Sequence, residues 1–132
     1  MKKLLLIIIV FVTSLSYCQT AEEYFERGNS KYDLQDYQGA IADYSKAIEL
    51  NPNYSGAYNN RGVSKLNLQD YRGAIADFSK AIQLDPNFSD AYYNRGLSKL
   101  ALKQKNSACL DWSKAGELGD GDAYDLIKEH CN

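Results

Sequence analysis

The side chains able to do chemistry are few. The chain has one histidine, His130, and three cysteines, Cys18, Cys109 and Cys131. His130 with Cys109 and Cys131 would offer a metal three ligands. A closed zinc site wants four, no fourth stands at useful spacing, and oxidised cysteines could not serve. No metal and no cofactor is therefore expected. There is no glycine-rich phosphate loop. Carboxylates are many, but the most regular of them recur with arginine: Arg27 with Asp43, Arg61 with Asp77, Arg95 with Asp111, always at the same separation. A charge repeated identically along a chain reads as a structural ion pair, so an enzyme is not expected.

Residues 1–18, MKKLLLIIIVFVTSLSYC, stand apart from the rest. Two lysines precede an apolar run, Leu4 to Val12, too short for the roughly 20 residues that span a bilayer. A charged start, a short apolar core and a small polar tail make a secretory signal. Two endings compete at Cys18. Cleavage after Cys18 would place small Ser16 and Cys18 at the recognised positions. Alternatively Cys18 is a lipobox cysteine that is acylated and anchors the protein, its only link to a membrane. Tyr17 is a bulky misfit directly before it, which favours plain cleavage. The Gln19-Thr20 start also resembles mature ends of exported Bacteroidota proteins. The expected address is thus the periplasm or outer membrane, or secretion. Without Lys2 and Lys3, 13 basic side chains face 17 acidic ones, and no clustered basic face suggests nucleic acid. Cys109 and Cys131 remain, an even count that in an exported protein points to a disulfide.

The elements that carry these residues repeat. Ala21–Tyr54 and Ser55–Phe88 align with 21 of 34 positions identical, and a third copy over 89–122 weakens after Leu102. Each copy opens Tyr-x-x-Arg-Gly and continues to Ala-x-x-x-aromatic-x-x-Ala, as Ala40/Tyr44/Ala47, Ala74/Phe78/Ala81 and Ala108/Trp112/Ala115. Apolar residues fall at three- and four-residue spacing, the mark of amphipathic helices. Gln-Asp breaks at 35–36 and 69–70 divide each copy into two. Pro52 and Pro86 stop the second helix. Gly28 and Gly62 lie inside helices at a cost of about 1 kcal/mol each, which implies close approach, expected against Ala40 and Ala74. Helices are predicted at 21–34, 37–50, 55–68, 71–84, 89–102, 105–118 and 120–130.

These motifs resemble the tetratricopeptide repeat, in period, small residues, aromatics and terminal proline, over most of residues 19–132. Arg27, Arg61 and Arg95 depart from it, where the family usually has Leu, as do Lys31, Lys65 and Lys99, where it often has Tyr. The resemblance implies an all-α solenoid, a short right-handed superhelix of three helix pairs with the first helix of each lining the concave side. A final helix, with Ala123, Leu126 and Ile127 as its apolar face, would cap the stack. Asp120 or Asp122 is available as its N-cap. Cys109 and Cys131 come level across that last turn, and a bridge would stabilise by roughly 3 kcal/mol.

The first two copies differ most in the first helix, on the face that lines the ligand groove in the family. That places a candidate groove on Phe25, Asn29, Tyr32, Asn59, Val63, Leu66, Tyr93, Leu97 and Leu100, with Asn60 and Asn94 at its edge. Leu66 and Leu100 are equally readable as core; Asn59 and Tyr93 are the better groove candidates. Aromatic rings beside amides suit an extended peptide. Chaperone-binding members of the family clamp a C-terminal carboxylate with two Lys, two Asn and one Arg. Only the two Asn places match, at Asn29 and Asn60; the cation places hold Phe25, Asp90 and Asn94. Capture of a free carboxylate by that clamp is not expected. The functional expectation is a monomeric, non-enzymatic module that binds a protein or peptide segment. The competing reading is a self-associating structural subunit of an envelope assembly.

Overall fold

The computed structural model describes residues 19–132. The signal expected at 1–18 and the acylation expected at Cys18 lie outside them. Seven helices follow in the described residues: α1 (Ala21–Asp33), α2 (Tyr37–Leu50), α3 (Ser55–Asn67), α4 (Tyr71–Leu84), α5 (Ser89–Ala101), α6 (Lys105–Glu117) and α7 (Asp122–His130). Consecutive helices pack on one another throughout. Across repeats, α1 touches α3 and α3 touches α5, so the first helices of the three pairs share one side. The architecture is an all-α solenoid of three helix pairs closed by a capping helix.

Local chemistry sets the helix ends. Thr20 caps α1 through the Glu23 amide, and Asp36 and Asp70 cap α2 and α4 through the amides of Gly39 and Gly73. Within each pair the chain turns through one left-handed residue, Gln35, Gln69 or Lys103, with φ of 60° to 62°. The residue after it donates its amide five residues back, as Asp36 to Lys31 and Asp70 to Lys65, which satisfies a carbonyl at the helix end. Between pairs the turn is different. Asn51 and Asp85 are held extended, as a residue before proline must be. The α6–α7 turn takes the first form: Gly119 is left-handed and Asp120 donates to the Ala115 carbonyl. The N-cap of α7 is Gly121, neither of the expected aspartates; Asp120 stands one residue before it, its Oδ1 accepting from the amides of Asp122 and Ala123. Asp122 is instead the first residue of α7.

The core is built from small residues and one large ring per pair. Ala40, Ala47, Ala74, Ala81, Ala108 and Ala115 are fully buried, and so in effect are Tyr44, Phe78 and Trp112. The helical glycines do mark close approach, but not to alanine. A Cβ on Gly28 would lie 2.6 Å from the Tyr44 ring, and one on Gly62 would lie 2.7 Å from the Phe78 ring. Gly96 stands in the same relation to Trp112. The alanines pack beside this contact. The spacing of residues places glycine and ring at the same level of the hairpin, but only the reach of the side chain puts the ring over the glycine.

One residue before each of these partners lies the expected ion pair. Arg27 grips Asp43 with both Nε and an Nη, at 2.9 and 2.6 Å. Arg61–Asp77 and Arg95–Asp111 repeat that fork at 2.9 and 2.7 Å. The lysines that depart from the family pattern complete the arrangement: Lys31, Lys65 and Lys99 reach the same carboxylates at 2.8, 2.8 and 2.7 Å. The aspartates are 3–5% exposed, so each buried carboxylate is neutralised by two cations. The Arg27 guanidinium holds the Asp43 carboxyl below its usual range, against the opposing effect of burial. The spare Nη of Arg61 donates to Ser45, and that of Arg95 to Ser79. These bonds cross from one repeat to the one before.

At the far end Ala123 is buried, and Leu126 and Ile127 pack on the cluster around Trp112. Cys109 and Cys131 are bridged, with their Cα atoms 5.8 Å apart. Gly116 lets Tyr124 approach, since an added Cβ would lie 3.0 Å from its ring.

Two stability changes follow. Gly62→Ala should raise helix propensity yet destabilise by about 2 kcal/mol, because overpacking outweighs propensity. Urea melts check this, and Phe78→Leu added to Gly62→Ala should recover part of the loss. Cys131→Ser, or reduction, should cost about 3 kcal/mol through the loop of 22 residues it opens. Equilibrium melts with and without reductant measure it.

Candidate functional site

The side shared by α1 and α3 holds a cavity of about 250 Å³, lined by Asn29, Tyr32, Asp33, Tyr44, Asn60 and Val63. It forms where the first repeat meets the second. Asn29 organises it. Its Oδ1 accepts from the Tyr44 hydroxyl at 2.8 Å and from Asn60 Nδ2 at 3.0 Å. Asn59 Nδ2 in turn donates to Asn60 Oδ1. The rim is bonded across the repeats as well, with Asn67 donating to the Tyr32 hydroxyl and Tyr54 to Glu22.

Four of the residues named from sequence therefore meet here: Asn29, Tyr32, Asn60 and Val63. Phe25 lies beside them, its ring 4.8 Å from Tyr54 and 5.8 Å from Tyr44. Asn59 is turned inward, 6% exposed, with its Oδ1 unpartnered. Leu66 and Val63 pack against the cluster around Phe78. Tyr93, Leu97 and Leu100 pack against the one around Trp112, and the Tyr93 carbonyl accepts from the indole. Asn94 is half-buried, and its carbonyl accepts from Ser98.

Two cavity residues were missed from sequence, Tyr44 and Asp33. Each carries a signal. Tyr44 is the one phenol among the three core aromatics, where Phe78 and Trp112 stand in the other pairs. Asp33 is an acid where the later copies have Asn67 and Ala101. Burial pushes the Tyr44 hydroxyl up to about 12, opposed by the Asn60 amide and reinforced by Tyr32, Asp33 and Glu26. Among the described residues no group of three or more His, Cys, Asp or Glu could hold a metal ion.

Family models for the tetratricopeptide repeat match residues 28–69, 55–88 and 78–109. No curated protein matches significantly. Among solved structures, the first tetratricopeptide domain of Spaghetti (RPAP3), bound to the HSP90 peptide SRMEEVD, superposes with a TM-score of 0.83. It is 25% identical, over 87% of this chain and 93% of that one. The Arabidopsis OM64 domain follows at 0.82, with 28% identity over 83% and 93%. The TPR2B domain of yeast Sti1, in its pHsp70 complex, reaches 0.75 with 30% identity over 83% and 90%. The chain belongs to the tetratricopeptide-repeat family.

The relatives also correct the expected address. RPAP3 and Sti1 are co-chaperone-type intracellular proteins, and this overturns the periplasmic or outer-membrane location read from residues 1–18. Among the described residues no helix is long and apolar enough to cross a membrane. The Cys109–Cys131 bridge follows from the level positions of the two cysteines on α6 and at the end of α7.

A titration tests the cavity's wiring. The Tyr44 phenol is raised from 10.0 to about 12 on folding, so its neutral form stabilises the fold below pH 10 and that contribution is lost as pH rises toward 12. Tyr44→Phe should shrink this alkaline loss and remove one phenol from the step near pH 12 that Tyr54 shares. Absorbance of the phenolate, followed beside circular dichroism, checks both.

Proposed function

We propose that the chain is a non-enzymatic adapter that holds an extended peptide segment of a partner protein along the face of α1, α3 and α5. The cavity carries this reading. It joins apolar surface on Val63 and the Tyr32 ring to amides that are already held in place by Tyr44 and by each other. Preorganised amides lose little freedom when they bond a peptide backbone. Related domains of the same fold hold HSP90 and HSP70 peptides, which supports peptide binding as the use of this face. Phe25, Asp90 and Asn94 stand at the cation places of the carboxylate clamp, so the segment is gripped along its length rather than by its terminal carboxylate. Tyr93, Leu97 and Leu100 extend the face toward α6.

Backbone amide shifts on titration with a bound peptide test the face. They should concentrate on α1, α3 and α5, and Asn60→Ala should weaken binding by about tenfold. Leu110→Ala, at an exposed residue of α6, should leave affinity unchanged. Shifts confined to α2, α4 and α6 would overturn the reading.

A further inference from the structure

The charges of the first helices are sorted. All six Lys and Arg side chains of α1, α3 and α5 are bonded to Asp43, Asp77 or Asp111 of the second helices. The acids of those same helices are not neutralised in that way. Glu26, Asp33 and Asp90 are exposed, and within 4 Å none of them has a cation among the described residues. The Tyr44 hydroxyl feels Asp33 and Glu26, and the Tyr93 hydroxyl feels Asp122 and Asp120. Unpaired acid on the shared face is thus concentrated on α1, at Glu26 and Asp33, since α3 has no acid and α5 only Asp90.

Asp33 is the sharpest case. It lines the cavity and is the last residue of α1. A carboxylate at a helix C-terminus opposes the helix dipole, so Asp33 costs stability where it stands. At the matching positions the later copies have Asn67 and Ala101, neither of them an acid. Beside it the cavity offers the Tyr32 ring, whose face attracts a cation, and Val63, against which an alkyl stem can lie.

We infer that the cavity between α1 and α3 is a subsite for a cationic side chain, lysine or arginine, of the bound segment, with Asp33 as its counter-ion. The inference rests on the peptide-binding reading and gives it a polarity. The related clamp places cations around a carboxylate; this face presents carboxylates to a cation. An acidic side chain in the cavity would meet Asp33 and Glu26 with no positive partner. A neutral one would leave Asp33 unpaired on desolvation.

Selection of a displayed library of random decapeptides, blocked at both ends, on the full chain separates this inference from the reading it rests on. Binders should be enriched in arginine or lysine at one position. Arg→Gln at that position should weaken the best binder about tenfold on the wild-type chain and by no more than about twofold on Asp33→Asn, the difference being the coupling of the pair. Among the described residues Asp33 makes no side-chain bond, and its charge opposes the α1 dipole, so that variant should not lower the thermal midpoint. Glu23→Gln, on α1 but away from the cavity, should leave the enrichment intact. Asp33→Lys should shift the enrichment to acidic residues. Binders with no cationic preference, or an equal preference on Asp33→Asn, would sink the cationic subsite and leave peptide binding standing. The same loss on Glu23→Gln would replace it with a diffuse charge effect. Recovery of no binder at all would sink both.

Discussion

The contact between a bare helical glycine and an aromatic ring governs the rest of this molecule. With hydrogen in place of a side chain at Gly28, Gly62 and Gly96, the rings of Tyr44, Phe78 and Trp112 lie directly on the facing helix. That contact fixes both the separation and the level of the two helices in a pair. Because Arg27 precedes Gly28 and Asp43 precedes Tyr44, the same level brings the arginine fork onto its carboxylate, and so in each pair. A slip would separate ring from glycine and at the same time leave a buried carboxylate without its cations, a cost of several kcal/mol. Packing and charge thus specify one register.

From that register the division of labour between the faces follows. The second helices keep the aspartates, and these draw every lysine and arginine of the first helices to their side. The shared face of α1, α3 and α5 is left with amides, phenols, aliphatic groups and acids. Among the differences between the repeats, two belong to the first alone: a hydroxyl on its core ring and a carboxylate at the end of α1. Both sit in the cavity.

Much of this was legible in the sequence, and the reason is the repeat. A period that recurs with breaks and prolines in step leaves little freedom in helix bounds, and α1 through α6 end within a residue of the expected positions. The Arg–Asp partners, the disulfide and the apolar face of α7 follow from levels along a hairpin, which spacing reports well. Direction at right angles to the helix axis is less legible. Difference between copies pointed to the varied face, but it cannot tell Asn60, which lines the cavity, from Asn59, which turns inward beside it. Lys31, Lys65 and Lys99 stood out only as departures from the family, because the second cation on each aspartate is a matter of reach. The Tyr44 hydroxyl was hidden behind the ring's role in the core.

The two ends of the stack differ in how firmly they are held. At α6 and α7 the chain is closed by a tight turn and a covalent bond between Cys109 and Cys131. At α1 the outermost fork is the wettest, with Arg27 45% exposed against 19% for Arg61 and Arg95. In a linear array each unit leans mainly on its neighbours, so among the described residues the order of unwinding expected is from α1 toward the staple. The cavity lies in the half that opens first. An occupant bridging α1 and α3 therefore does more than fill a groove: it closes the loose end, and its affinity and the order of the first repeat rise together.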